Sequence, residues 1–325
     1  MTFSNIIRWG IIGCGDVCEV KSGPGFQQAE GSRLMAVMRR NGDLASNFAW
    51  RHRVPSWYTN SEELINDPEI DAVYIATPPL YHKDYACAAA EAGKPAYVEK
   101  PMGMNYAECV ELIDVFDQHK LPLFVAYYRR ALPRFIKIKQ ILDESKIGAI
   151  RYVNTVYQCP PKPEDTLKPV PWRLDPEKSP GGYFGDLAPH AIDILQFFFG
   201  EIIKANGQAV NLAGLYPAVD LVSGSYSFES GVLGTGVWCF TTATKLDRTE
   251  VIGTQGSLVF SIFGNDPVVI RKGKQVQKLK LVNPVTIQQP LIQSVVDELL
   301  GKGKCPSTGF SAARTNWVMD QLLGN

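Results

Sequence analysis

The sequence predicts an α/β protein, with a doubly wound parallel sheet in its first half and a second α/β domain rich in antiparallel strands. Three patterns predict it. Short apolar runs alternate with helical segments through the first half, a glycine turn closes the first run, and strand-like alternation takes over after about residue 200.

The apolar runs are "IIRWGIIG" (6–13), "RLMAVMR" (33–39), "DAVYIATP" (71–78), "PAYVEKP" (95–101) and "LPLFVAYY" (121–128). Their continuous apolarity is what strands covered on both faces require. Helical segments at 61–66, 80–92 and 105–119 lie between them. "TNSEELIND" opens with cap-type residues followed by acids, and Gly93 closes the helix ending in "AAAEAGK". "KSGPGF" (21–26) is expected to interrupt the helix that follows the glycine turn.

The pattern changes near residue 150. The proline-rich stretch 159–180 is expected to form a long loop, the kind of connection that usually carries function. A helix over about 188–199 follows, with Pro189 suited to its first turn. Strands are expected at 219–228, 231–240, 246–253, 256–262 and 267–281, with "ESG" and "TQG" as hairpin turns. Helices at about 286–300 and 309–323 finish the chain. The expected domains are 1–128 and 129–325, the last helices being free to pack back on the first.

Composition narrows the function classes. Lys and Arg total 33 and Asp and Glu total 33, so no global field draws the chain to nucleic acid or to anionic lipid. No apolar run approaches the ~20 residues of a membrane helix. "MTFSNIIRWGIIGCG" leads straight into a strand without the features of an export signal, so a cytoplasmic location is expected. The seven cysteines are scattered without a CxxC pair, which argues against a disulfide framework, and no metal site is expected.

"WGIIGCGDV" places Gly13 and Gly15 between a strand and a helix, the context in which a G-x-G turn cradles a pyrophosphate. Gly13, Gly15, Asp16 and Val17 are therefore cofactor candidates, with Lys21 and Ser22 close by in sequence. A ribose-binding acid is expected about 20 residues further on, but "AVMRRNG" has Arg39 there and Arg40 next. An arginine cannot accept bonds from a ribose hydroxyl but pairs with a 2′-phosphate, so NADP is expected in preference to NAD. A solvated arginine pair is the plainer alternative. Thr77 and Pro78, at the end of the run 71–78, and His82 just beyond are further cofactor candidates, although His82 could simply cap its helix.

At "YVEKPMGMN" the chain becomes similar to a known family. Together with "WGIIGCGDV", "DPEIDAVYIATPPLYH" and "GGYFGDLAPHAID", this motif resembles the Gfo/Idh/MocA family, named for glucose–fructose oxidoreductase and inositol dehydrogenase. The likeness is dense from residue 8 to about 200, and looser through "EVIGTQGSL" and "CPSTGFSAARTNWVMD". It implies a Rossmann domain, then an α/β domain with a large, mostly antiparallel open sheet that binds substrate and forms a homodimer or homotetramer. It also implies hydride transfer at a hydroxyl or carbonyl carbon of a sugar, polyol or related small molecule.

Lys100 in "VEKP" lies at a strand's carboxyl end, where ligands bind in α/β sheets, and Pro101 restricts its backbone. In the family the matching lysine faces the nicotinamide and the reacting oxygen, where an ammonium stabilises a developing alkoxide. Glu99 should project to the opposite side, orienting Lys100 or touching the cofactor. The resemblance makes His190 the acid/base, with Asp186 binding substrate or assisting it, while Asp193 orients the ring or serves the helix. Tyr128, Arg129, Trp172 and Arg173 are second-rank substrate candidates; His52 and His119 are expected at the surface. Two alternatives stay open: an NAD-dependent glycosidase working by transient oxidation, and a non-catalytic dinucleotide-binding regulator.

Overall fold

The computed structural model describes residues 5–324. Two compact units emerge, Met1–Leu132 with Pro284–Ala313, and Pro133–Asn283 with Arg314–Asn325. The first unit thus takes in 129–132 and 284–313, which a contiguous division at residue 128 leaves to the second.

The first unit begins with β1 (Ile7–Ile12), a π turn (Cys18–Ser22) running into α1 (Gly23–Gln28), β2 (Ser32–Met38) and α2 (Gly42–His52). It continues through β3 (Ser56–Tyr58), α3 (Ser61–Asn66), β4 (Ala72–Ile75), α4 (His82–Glu91), β5 (Ala96–Val98), α5 (Tyr106–Gln118) and β6 (Leu123–Val125). The six strands pair in parallel in the order β3-β2-β1-β4-β5-β6. Asn41, Asn60 and Asn105 cap α2, α3 and α5, each side chain accepting from a first-turn amide.

Each face of this sheet is covered. On one, the Phe26 ring of α1 has its centroid 4.8 Å from that of Trp9, 5.1 Å from that of Tyr74 and 6.3 Å from that of Tyr97. On the other, Ile12, Val73, Ile75, Val98 and Val125 join Leu64, Ala86, Ala89, Leu112 and Phe116 in one buried cluster. Such two-sided burial is why these strands read as continuous apolar runs.

"KSGPGF" does not break the helix after the glycine turn. The π turn widens the ladder, with the Gly23 amide donating to Cys18, and Pro24 then falls at the start of α1. Proline is accommodated there because the widened π turn relieves the ladder just before it.

The second unit opens with α6 (Pro133–Asp143) and β7 (Ile150–Gln158), followed by a long connection and α7 (Tyr183–Phe199). Then come β8 (Ile202–Val210), β9 (Leu221–Phe228), β10 (Leu233–Cys239), β11 (Leu246–Gly253), β12 (Ser257–Phe260), β13 (Val268–Lys272) and β14 (Gln275–Leu279). The sheet order is β14-β13-β12-β11-β7-β10-β9-β8, antiparallel throughout except for the parallel pair β7 and β10. The expected strand 267–281 is a hairpin of two strands. Residues on one sheet face alternate into a core with α6 and α7, where Phe184 packs edge-on to Trp238 and Phe198 to Phe260.

α7 begins five residues before the expected start of about 188, so Pro189 lies inside it and not in its first turn. Pro189 forgoes the bond that an amide would make to the Gly185 carbonyl. The start is set instead by Gly181 and Gly182, both at positive φ (67° and 62°), which swing the chain into the helix.

The remaining segment holds α8 (Gln289–Leu299) and α9 (Gly309–Leu323); α9 passes from the first unit to the second after Ala313. In the first unit, Ser307 and Thr308 lie along β6. The Val125 amide donates to the Ser307 carbonyl at 3.3 Å, the Ser307 hydroxyl donates to the Val125 carbonyl at 2.7 Å, and Phe124 bridges Thr308.

Candidate active site

In the first unit the sheet order reverses between β1 and β4, and the chain leaves both strands at their carboxyl edge. This is the switch point where doubly wound sheets bind ligands. Gly13 follows β1 at φ 88°, its amide donating to Met38 at 2.9 Å. A Cβ there would meet the Thr77 methyl at 2.8 Å, so only glycine fits. A Cβ on Gly15 would meet nothing closer than 3.9 Å, which leaves that backbone open to close approach. Asp16 and Val17 lead into the helix, and the buried Thr77 Oγ1 has no partner among the described residues. This cradle fits a dinucleotide pyrophosphate.

Arg39 and Arg40 follow β2 and are both exposed; the Arg40 guanidinium lies 5.7 Å from the centre of the Tyr81 ring. Next to this corner Glu19 is paired with Arg51 at 2.5 Å and His52 at 2.7 Å. Those contacts, Arg51 foremost, hold the Glu19 carboxyl down at about 2. Lys21 is exposed and Ser22 buried, and His119 bonds to its own helix at Val115.

His82 departs from its expected cofactor contact. It is fully buried, with Nδ1 at 2.9 Å from the Pro101 carbonyl and Nε2 at 2.8 Å from the Thr77 carbonyl. Both ring nitrogens are therefore occupied by protein, and the ring braces the connection after β4 against the one after β5. Burial pushes its pKa down, partly offset by the two carbonyls. A neutral ring donates to one carbonyl at a time. Pro78 begins the turn that leads to it.

Lys100 follows β5, and its bond to Pro101 is cis. Glu99, just before it, is buried and accepts from the Tyr74 hydroxyl at 2.6 Å and from Gln288 Nε2 at 2.9 Å, both on Oε1. Its other oxygen accepts the Lys100 amide at 3.2 Å. Glu99 is thus tied into the first unit's interior and holds the Lys100 backbone amide. Sequence reading missed Tyr74 and Gln288; an apolar strand gives no sign that one hydroxyl faces a carboxylate, and Gln288 lies 189 residues away. Tyr128 and Arg129 occupy a short turn after β6; both are buried, and the guanidinium lies 4.9 Å from the centre of the Tyr128 ring.

In the second unit, Asp186, His190 and Asp193 lie four and three residues apart along α7, so they share one helix face. His190 and Asp193 are buried. Arg173 Nε stands 3.3 Å from Asp186 Oδ2 while its guanidinium covers Trp172 at 4.3 Å, so both loop candidates are held near the head of α7. The connection 159–180 is anchored by the buried Asp165, which accepts from the Tyr183 hydroxyl at 2.6 Å and the Lys162 amide at 2.8 Å. The Phe263 ring stands 6.0 Å from the His190 ring and 5.1 Å from Tyr157. Burial, with Cys159 and Asp247 adding to it, pushes the Tyr157 hydroxyl up to about 12.

A parallel sheet with such a cradle at its switch point defines a dinucleotide-binding protein. Comparison with known proteins carries this further. The family described as "Oxidoreductase family, NAD-binding Rossmann fold" matches residues 7–127, and "GFO/IDH/MocA C-terminal domain" matches residues 135–259. Oxidoreductase P35 of Formosa agariphila is 40% identical over 323 residues, covering 98% of both chains. The 1,5-anhydro-D-fructose reductase of Ensifer adhaerens is 27% identical over 312 residues, covering 93% of this chain and 91% of its own. A 3-ketoreductase of Actinomadura kijaniata, solved with NADP and TDP-benzene, superposes with a TM-score of 0.84 at 20% identity, covering 98% and 97% of the two chains. The chain belongs to the GFO/IDH/MocA family and is an NAD(P)-dependent oxidoreductase. Among the described residues no helix is long and apolar enough to cross a membrane.

Proposed function

We propose that the protein transfers a hydride between NADP and a carbinol or carbonyl carbon of a sugar, polyol or related small molecule. The observation that carries this is the order of groups along one sheet edge: Gly13 and Gly15 after β1, Thr77 after β4 and Lys100 after β5. Neighbouring strands stand about 4.8 Å apart, so Lys100 lies roughly 10 Å along that edge from the glycine cradle. That is a suitable span from a pyrophosphate to the reactive end of a dinucleotide.

When bound, the nicotinamide accepts or supplies the hydride. The backbone of Gly13, Gly15, Asp16 and Val17 would hold the pyrophosphate, and Arg39, with Arg40 beside it, would meet a 2′-phosphate. The Lys100 ammonium favours negative charge on the reacting oxygen. In the oxidation direction His190 takes the hydroxyl proton, and in reduction it returns one. Asp186, already engaged by Arg173, binds a substrate hydroxyl or assists the ring. Reductase and dehydrogenase names among the relatives support this reaction class, and the anhydrofructose relative supports a sugar-like substrate. The second unit is assigned substrate binding and assembly into a homodimer or homotetramer in a cytoplasmic setting.

A panel of sugars, polyols and keto-sugars with both cofactors, followed by nicotinamide absorbance, tests the reading. With the best substrate, His190→Ala should lower kcat by about a hundredfold or more while leaving cofactor affinity within about twofold. Unchanged turnover in that variant would remove His190 from proton transfer.

A further inference from the structure

The connection between β12 and β13 is built around one carboxylate. Asp247 of β11 accepts three consecutive amides from it: Ile262 at 2.9 Å on Oδ1, and Phe263 at 2.7 Å and Gly264 at 3.0 Å on Oδ2. Three successive amides on one carboxylate give a small ring of charge-assisted bonds, which determines the local backbone far more tightly than a solvated loop does.

A second charge holds the same connection. Arg134 of α6 is fully buried and donates from Nη2 to Ser261 Oγ at 3.3 Å. Its burial lowers the guanidinium pKa, and the nearby Asp247 and Asp266 oppose that fall. The residue displayed by this clamp is Phe263. Its ring stands nearly perpendicular to the His190 imidazole, at 78° and 6.0 Å, and at 67° and 5.1 Å to the ring of Tyr157. The clamp therefore ends on the histidine assigned to proton transfer.

We propose that Asp247 is a positioning residue: by gathering the amides of 262–264 it sets Phe263 against His190 and so fixes the plane of the imidazole. This deepens the functional reading and rests on it only for its effect on turnover. The chain of contacts is short, Asp247 to the Phe263 backbone and the Phe263 ring to the His190 ring, and every member belongs to the second unit. Without the carboxylate, three amides lose their acceptor, the connection relaxes toward water, and Phe263 no longer defines one wall of the histidine's pocket. A misplacement of about 1 Å at a reacting group costs up to about a hundredfold in rate.

The test is carried out on the full chain with isotopically labelled histidine. The chain has four histidines, so His190 is assigned by the signal that His190→Gln removes. Phe263→Leu takes away the ring current at the imidazole while keeping an apolar side chain. Asp247→Ala should move the His190 resonance in the same direction and by a comparable amount. The double variant should move it little further than either single change, because both act on one contact. Phe263→Tyr, which keeps a ring, should leave the resonance near its original position. If Asp247→Ala does not fold, Asp247→Asn keeps the volume with fewer acceptor sites and should shift the signal in the same sense.

In turnover, Asp247→Ala and Phe263→Leu should lower kcat between about tenfold and a hundredfold, with the cofactor KM held within about twofold. Phe263→Tyr should recover most of it. A His190 resonance unmoved by either Asp247 variant, with Phe263→Leu shifting it, overturns the proposal and leaves the functional reading intact. Coupled resonance shifts with normal turnover in His190→Ala overturn the functional reading and leave the positioning contact standing.

Discussion

Replacing Tyr74 by Phe removes one hydroxyl from the interior of the first unit and little else. Tyr74 is fully buried, and its hydroxyl donates to Glu99 at 2.6 Å. Burial, with Glu99 close by, raises the phenol pKa well above its usual value, so it remains a donor at any working pH. Bonds from a neutral donor to a charged acceptor contribute about 1.5–3 kcal/mol. After the change Glu99 still accepts from Gln288 and from the Lys100 amide, so no wholly unsatisfied carboxylate is left and the cost should be about 2 kcal/mol. Native-state hydrogen exchange measures it locally, at the amides of β4 and β5 that open only with this unit. A loss of that size corresponds to roughly thirtyfold faster exchange at these amides. Acceleration below about threefold would show that solvent replaces the Tyr74 hydroxyl without penalty, refuting the claim that Glu99 depends on this buried donor.

Arg39→Asp should shift preference from NADP toward NAD, weakening NADP by roughly tenfold to a hundredfold as one charge-assisted phosphate contact is lost; equal discrimination before and after would leave the arginine as surface decoration. His82 gives a pH signature. Its folded pKa lies below the ordinary 6.5, so the unfolded chain takes up a proton that the folded one refuses, and the stability it contributes is present above about 6.5 and falls as pH drops below that value. His82→Gln should flatten this part of the stability profile by at most about 1.4 kcal/mol per pH unit, read from denaturant midpoints between pH 5 and 7; an unchanged slope would exclude the ring as its source.

Much of the fold is legible because burial leaves a periodic trace. Strands β1, β2, β4, β5 and β6 are buried on both faces and stand out as apolar runs, while β3 escapes notice at three residues, none of them fully buried. β13 and β14 merge on paper because β14 is nearly all exposed and its residues carry little alternation. Nothing local reveals that β7 and β10 lie parallel, since the partner of each is chosen by the whole sheet. In the candidate site, the glycines and Lys100 stand out by residue type and setting, while Asp186 and His190 are singled out by the family resemblance. What holds them does not: Tyr74 reads as one more apolar strand residue, Gln288 precedes an ordinary helix, and Asp247 looks like a surface acid. His82 shows the opposite error, a residue type rich in chemical meaning that is used as a brace.

The return of Ser307 and Thr308 to β6 has a bearing on how the chain is made. Until about residue 308 leaves the ribosome, the last strand of the parallel sheet has no neighbour on its outer side, and an open strand edge invites pairing with another chain. The entire second sheet, β7 to β14, is synthesised during that interval. The nascent first unit therefore waits, incomplete and vulnerable to association, for a segment that is made only after the second sheet. Cutting the gene after residue 132 would make that transient state permanent.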